Sequence, residues 1–245
     1  MIRPATALGA AATTAAVAGW AGPAALRARV LRATAWPGLA GVGRSDSVAL
    51  TFDDGPDPEG TPAVLDALDR LSWTATFFML GGQVARYPEV AAAVVAAGHE
   101  VAVHGFSHRN HLVRGLADVN RDVARATAVV ATATGVRPTW FRPPYGVLTM
   151  GSLIAARCAG LRPVLWTAWG RDWEALSAGR IAGTIGRQLR PGGTVLLHDS
   201  DCVARVAGSW RSTVAALPRL AVLADQLGCT VGPLRDHLAQ CGPSQ

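Results

Sequence analysis

The sequence predicts an α/β fold, a distorted (β/α) barrel of about seven parallel strands. Three observations carry this expectation. Short runs of β-branched, aliphatic and aromatic residues alternate with segments bearing helix signals. Polar residues collect at the C-terminal ends of those runs, where a barrel gathers them around one mouth and an open sheet would spread them apart. No glycine-rich dinucleotide fingerprint follows the first run.

The runs in order are 48–52 (VALTF), 74–80 (TATFFML), 100–104 (EVAVH), 139–142 (TWFR), 162–168 (RPVLWTA), 194–198 (TVLLH) and 229–231 (CTV). Their near-continuous apolar character reads as parallel strands buried on both faces. Between them, Thr61-Pro62 predicts an N-cap and first turn opening a helix over 62–71, and Pro88 opens a helix closed by Gly98. Val119, Val123, Ala126 and Val130 form an apolar stripe ending at Gly135. Ile181, Ile185 and Leu189 form another before Pro191. A helix over 209–227 precedes the last strand.

Half of the 245 residues are apolar and 16% are charged, which excludes a disordered chain. All 23 basic residues are arginine. The absence of lysine rules out a Schiff-base lysine, a phosphate-loop lysine and a protein-kinase lysine. Of the net charge of +6, +5 lies in residues 1–45, as Arg3, Arg27, Arg29, Arg32 and Arg44 with no acid. The remainder is nearly neutral, so despite a pI near 10.1 no nucleic-acid partner is expected.

The composition shift near Ser45 divides the chain into an Ala/Arg-rich leader, 1–45, and a catalytic domain, 46–245. Residues 5–26 are uncharged, and as a stretch of this length they are a candidate membrane segment, though alanine and threonine drive insertion weakly. An export signal, an anchor and a leader without targeting role all fit its composition. Arg27, Arg29 and Arg32 after the apolar run favour a membrane-associated or cytoplasmic location. Cys158, Cys202, Cys229 and Cys241 show no CxxC spacing, so they either pair in an oxidising compartment or remain buried free thiols.

His104-Gly-Phe-Ser-His108 sets two imidazoles four residues apart, able to face one ion. Alone the pair is weak, with His111 close by. Asp53-Asp54 alone could cap a turn. Together, one carboxylate and two imidazoles complete a three-ligand divalent site at the C-terminal strand ends, with positions left for water. The second carboxylate is then free to act as a general base, and His198, from another strand, could protonate a leaving group. The combination reads as metal-assisted hydrolysis.

Over residues 46–240 the sequence resembles the polysaccharide deacetylases of the carbohydrate esterase class, the NodB homology domain. Five motifs occur in order: Thr51-Phe-Asp-Asp-Gly-Pro56, His104 to His108, Arg142-Pro-Pro-Tyr-Gly146, Asp172-Trp173 and Leu196-Leu-His-Asp199. The resemblance implies a distorted barrel, Asp53 as general base, and Asp54, His104 and His108 as ligands of a divalent ion, zinc being the expected one. It implies His198 as general acid, Arg142 holding Asp53 ionised, and Asp172 raising the pKa of His198. The Tyr145 backbone N–H would help stabilise the oxyanion, and Trp173 and Leu196 would line a pocket for the acetyl methyl group. The implied reaction is N-deacetylation of N-acetylglucosamine units in a peptidoglycan or chitin-like glycan, with a cell-envelope or secreted location.

The sequence departs from the pattern at Gly105, where Thr or Ser is common, at Val103, where Asn is common, and at Trp169, where an acid is common. Trp169 either stacks on a sugar or is simply packed. Other readings are an O-acetyl esterase on xylan-type glycans, an amidohydrolase on a small amide or lipid-linked sugar, and a non-catalytic glycan-binding module. A non-haem iron oxygenase shares the ligand set but is expected on an all-β jelly roll.

Overall fold

A computed structural model describes residues 19–27 and 34–238. Strand β1, Ser47–Asp53, lies in the interior of the sheet and is buried along its whole length. Around it come β2 (Thr76–Met79), β3 (Glu100–Val103), β4 (Trp140–Phe141), β5 (Arg162–Pro163), β6 (Ala168–Trp169), β7 (Thr194–His198) and β8 (Thr230–Gly232), all paired in parallel. The strand order is β5-β4-β3-β2-β1-β7-β6, with β8 beside the first half of β1. The sheet curls into a half-barrel.

The expected single strand over 162–168 is instead two short ones at opposite edges of the sheet. The intervening residues 164–167 carry the chain across the gap. There Val164 N–H bonds the Phe141 carbonyl at 2.9 Å and Thr167 N–H bonds the Thr194 carbonyl at 2.9 Å. The Arg142 side chain takes the carbonyls of Val164 (3.4 Å) and Leu165 (2.8 Å), acceptors that a strand neighbour would otherwise have used. At the seam of the distorted barrel one buried guanidinium thus stands where a strand neighbour would be.

Side-chain alternation divides the residues cleanly. Leu50, Phe52, Phe77, Met79, Val101, Val195 and Leu197 belong to the main core cluster between sheet and helices. The opposite parity, Ala49, Phe78, Ala102 and Trp140, packs inside with Val164 and with Leu234 and Leu238 from the C-terminal end. The last residues of that inward set, Asp53, Arg142 and His198, reach the mouth.

The helices are α1 (Gly60–Arg70), α2 (Gly81–Arg86), α3 (Pro88–Ala96), α4 (Leu116–Thr134), α5 (Met150–Cys158), α6 (Ala178–Gln188), α7 (Trp210–Gln226) and α8 (Leu234–His237). The stripes lie where the periodicity puts them: Val119, Val123, Ala126, Val130, Ile181 and Ile185 are fully buried. Thr61 is not the cap of α1. Asp57 Oδ1 accepts the N–H groups of Glu59 (2.9 Å) and Gly60 (2.7 Å), while the Thr61 hydroxyl turns to Asp199. Helix α2 was not expected, nor was α5, whose Thr149 and Ser152 form a capping box.

The packed body begins before Ser45. A helical turn at Pro37–Ala40 leads into it, and the Leu39 carbonyl accepts Leu165 N–H at 2.8 Å. Much of the leader stretch, like Cys241, lies outside the described residues. No helix among the described residues is long and apolar enough to cross a membrane. Cys158, Cys202 and Cys229 are free thiols, and Cys229 alone of the three is buried.

Candidate active site

Register and strand ends assemble the site. Asp53 is the register partner of His198 across β1 and β7, so both reach the same level of the mouth. His104 follows β3, its N–H bonded to the Met79 carbonyl, and Arg142 follows β4, its N–H bonded to the Val103 carbonyl, each at 2.9 Å. Asp54, His108 and Tyr145 have φ of 80°, 47° and 59°. Such left-handed backbone in non-glycine residues costs of order 1–3 kcal/mol each and persists only where the surroundings enforce it. All three belong to this one site.

Asp54, His104 and His108 place one ligand atom each within 4.8 Å of one another. Asp54 Oδ1 lies 3.5 Å from His104 Nε2 and 3.4 Å from His108 Nε2. His104 Nδ1–H donates to the Arg142 carbonyl at 2.8 Å, which fixes the tautomer and leaves the Nε2 lone pair facing Asp54. Burial lowers both imidazoles to about 3, so both are neutral ligands at ordinary pH. Among the described residues, Asp54 Oδ1 is buried without a hydrogen-bond partner. Burial lifts its carboxyl to about 7, against the pull of His198 and with the push of Asp53. A bound cation would reverse that balance, and an orphaned carboxylate oxygen facing two neutral imidazole lone pairs fits a divalent metal.

Asp53 is held differently. Its Oδ1 accepts Arg142 Nη1–H at 2.6 Å, while its Oδ2 stands 3.7 Å from His104 Nε2. Arg142 is fully buried, also donates to the Thr51 hydroxyl (2.9 Å), and lies 3.9 Å over the Phe78 ring. Burial raises the Asp53 carboxyl above its ordinary value despite the pull of Arg142. One oxygen is thus fixed and the other is left to the cleft.

His198 Nδ1–H donates to Asp172 Oδ1 at 3.0 Å, and its backbone N–H to Asp172 Oδ2 at 2.7 Å. Burial works against the imidazolium, but Asp172 first, then Asp54 and Asp53, outweigh it and raise His198 to about 9. Its Nε2 faces Asp54 Oδ2 at 3.8 Å. The Trp173 ring meets it edge-on at 5.3 Å, and Leu196 lies buried two residues below it. Trp169 sits between Trp166 (5.9 Å) and Trp173 (4.9 Å). The Tyr145 ring covers His108 at 4.5 Å and is half exposed. All ten residues singled out from the sequence therefore lie in or directly beneath one mouth.

Two supports escaped the sequence reading. Thr213 of α7 donates its hydroxyl to Asp172 Oδ2 at 2.7 Å. Asp199 is quoted in the fifth motif without a role. It accepts Gly55 N–H at 3.2 Å and the Thr61 hydroxyl at 2.5 Å, tying the Asp53-Asp54 loop to β7. A Cβ on Gly55 would collide with the Asp199 carboxylate, so only glycine permits this approach. An acid directly after a strand-end histidine, pointing to the opposite face, was the available signal for Asp199; Thr213 has none.

Residues 40–164 match the sequence profile described as polysaccharide deacetylase. A chitooligosaccharide deacetylase of Bradyrhizobium sp. (strain ANU 289) is 38% identical over 194 residues, covering 77% of this chain and 89% of the relative. A peptidoglycan-N-acetylglucosamine deacetylase of Bacillus cereus is 33% identical, covering 71% of this chain and 61% of the relative. Among solved structures, a family 4 carbohydrate esterase from Streptomyces lividans superposes with a TM-score of 0.69 at 33% identity, covering 76% of this chain and 92% of that one. A family 4 pseudoenzyme from Bacillus anthracis superposes with a TM-score of 0.71 at 25% identity, covering 78% and 65%.

Proposed function

Because the chain belongs to the polysaccharide deacetylase family, we infer that it is a metal-dependent hydrolase removing N-acetyl groups from N-acetylglucosamine-containing glycans of the chitooligosaccharide or peptidoglycan type. The observation that carries this reading is the division of labour between adjacent carboxylates. Asp54 turns an unpartnered oxygen to two neutral imidazoles, while Asp53 is pinned by Arg142. A pseudoenzyme shares the fold, so the intact geometry matters more than the architecture.

Asp54, His104 and His108 would hold the ion, and the nitrogen-rich donor set suits zinc. When bound, the ion supplies Lewis acidity toward the amide carbonyl and lowers the pKa of water. Asp53 accepts the proton of the attacking water at Oδ2, its Oδ1 being committed to Arg142. His198, held protonated by Asp172, donates from Nε2 to the departing amine. The hydrogen bonds of the 144–146 turn are donated by Gly146 and Val147, which leaves Tyr145 N–H outside them as an oxyanion donor. Trp173 and Leu196 supply the apolar wall for the acetyl methyl group, and Trp169 extends it outward.

The curated relatives' names give no support to the xylan esterase, small-amide or glycan-binding readings. The leader's charge order supports a domain attached to, or inside, the cytoplasmic membrane face; fractionation of the tagged full-length chain tests it, and a shortened soluble form outside the cell would overturn it. The activity is tested by mass spectrometry of acetate released from chitooligosaccharides, peptidoglycan fragments and acetylated xylan. Release from the first two and not the third is expected; release from xylan alone would overturn the substrate class.

A further inference from the structure

His104 and His108 are joined by a three-residue loop whose grip is not explained by the five motifs. On one side the loop is held by the first turn of α2: Gly81 N–H and Gly82 N–H donate to the carbonyls of Gly105 and Phe106, each at 2.9 Å. On the other side stands Asp122, a buried acid on α4 next to the apolar stripe. Its Oδ2 accepts Phe106 N–H at 2.7 Å, and its Oδ1 accepts the Ser107 hydroxyl at 2.8 Å. Oδ1 also accepts Arg114 Nη1–H at 2.9 Å, while Arg114 Nε–H bonds Asp118 at 2.7 Å. Gly105 has φ +84°, and a Cβ there would lie 3.0 Å from Asp122 Oδ2. The position that departs from the family's common Thr or Ser is the one that lets this carboxylate approach.

We propose that Asp122 is a positioning residue for the metal site, clamping the Phe106-Ser107 backbone so that His108, in its strained left-handed conformation, keeps its Nε2 aimed at Asp54. The inference rests on the reading of Asp54, His104 and His108 as cation ligands. Among the described residues the Nδ1 of His108 is without a partner, and its ring packs only on His104 and Tyr145, so apart from the approach of Nε2 to Asp54 its orientation follows from the loop. A ligand whose orientation depends on its loop loses affinity when the loop is released, and such outer supports are typically worth about 10–100-fold in metal affinity.

The test is Co2+ titration of the full chain, followed by visible absorption, which reports coordination and not only folding. Asp122→Asn is expected to weaken Co2+ binding by about 10–100-fold and to alter the absorption band. Ser107→Ala, which removes one bond at an exposed hydroxyl, is expected to weaken it in the same direction by about 10-fold or less. Asp118→Asn disturbs Arg114 without touching the loop and should leave both affinity and band unchanged. Should Asp122→Asn fail to fold, Ser107→Ala against Asp118→Asn decides. Wild-type affinity and band in the Ser107 and Asp122 variants would overturn the clamp while leaving the metal reading intact. Failure of the unmodified protein to take up Co2+ would overturn that reading, and the clamp with it.

Discussion

The two ends of the barrel interior both bury polar side chains, and they treat them in opposite ways. At the floor, Glu100 accepts the Thr76 hydroxyl (2.6 Å), the Trp140 indole N–H (3.0 Å) and the Arg235 backbone N–H (3.1 Å). His237 likewise has partners on both ring nitrogens, Ser47 Oγ at 2.7 Å and the Gly192 carbonyl at 3.1 Å. At the mouth, Asp54 Oδ1 and His108 Nδ1 have none among the described residues, and two carboxylates stand side by side. A buried polar atom left unsatisfied costs about 1–3 kcal/mol, and at the mouth a cation between Asp54 and the two imidazoles would offset that cost. The floor fastens α8 to the barrel; the mouth is kept ready for an ion and a substrate.

This contrast can be broken most violently at the ligands. His104→Ala or His108→Ala should abolish stoichiometric metal binding and acetate release together, measured by metal analysis and mass spectrometry. His111→Ala should leave metal content unchanged, because His111 is buried against Ser152 (3.0 Å) and not turned to Asp54. Full occupancy in the His108→Ala protein would remove the basis of the site. Next in size is the base: Asp53→Asn should keep the metal and lose roughly two to four orders of magnitude in kcat.

At the floor the sign of the outcome reverses. Glu100→Gln replaces an acceptor by an amide N–H2 that cannot take the Thr76 and Arg235 hydrogen bonds. It should cost about 1–3 kcal/mol, a fall in Tm of roughly 2–12 °C for a domain of this size, with kcat unchanged. A loss of kcat without loss of Tm would show that the floor is not merely structural.

The smallest effect is a displacement along the pH axis. His198 must be protonated to act as the acid, so kcat/KM should fall as pH rises through about 9. Asp172→Asn removes the group that raises His198 most and should move this limb to lower pH. Linkage gives the same sign for stability: a folded-state pKa above the unfolded value of 6.5 contributes fully below pH 6.5 and is lost as pH climbs through about 9. An unmoved alkaline limb in Asp172→Asn would assign it to another group.

Most of the strands and the helix stripes were legible because burial on both faces demands apolar runs and α-helical packing demands the i, i+3, i+4 pattern. The ten candidate residues could be singled out because they terminate strands or form motifs, and the fold brings them to one mouth. The split of 162–168 was not legible, since nothing in RPVLWTA announces that the Arg142 side chain, some twenty residues earlier, claims the carbonyls at 164 and 165. The same holds for Asp122 and Thr213. Each is a lone polar residue on a helix or loop whose meaning lies in a partner distant in sequence, and local pattern carries no trace of such a pairing.

The assignment of base and acid is the central claim, and leaving-group chemistry separates the two roles directly. Asp53→Asn and His198→Ala should both be slow on an N-acetylated glycan, where the amine needs a proton to depart. On an aryl acetate, whose leaving group needs little protonation, His198→Ala should recover most of the wild-type rate while Asp53→Asn stays slow. Equal loss in His198→Ala on both substrates would contradict its role as the acid.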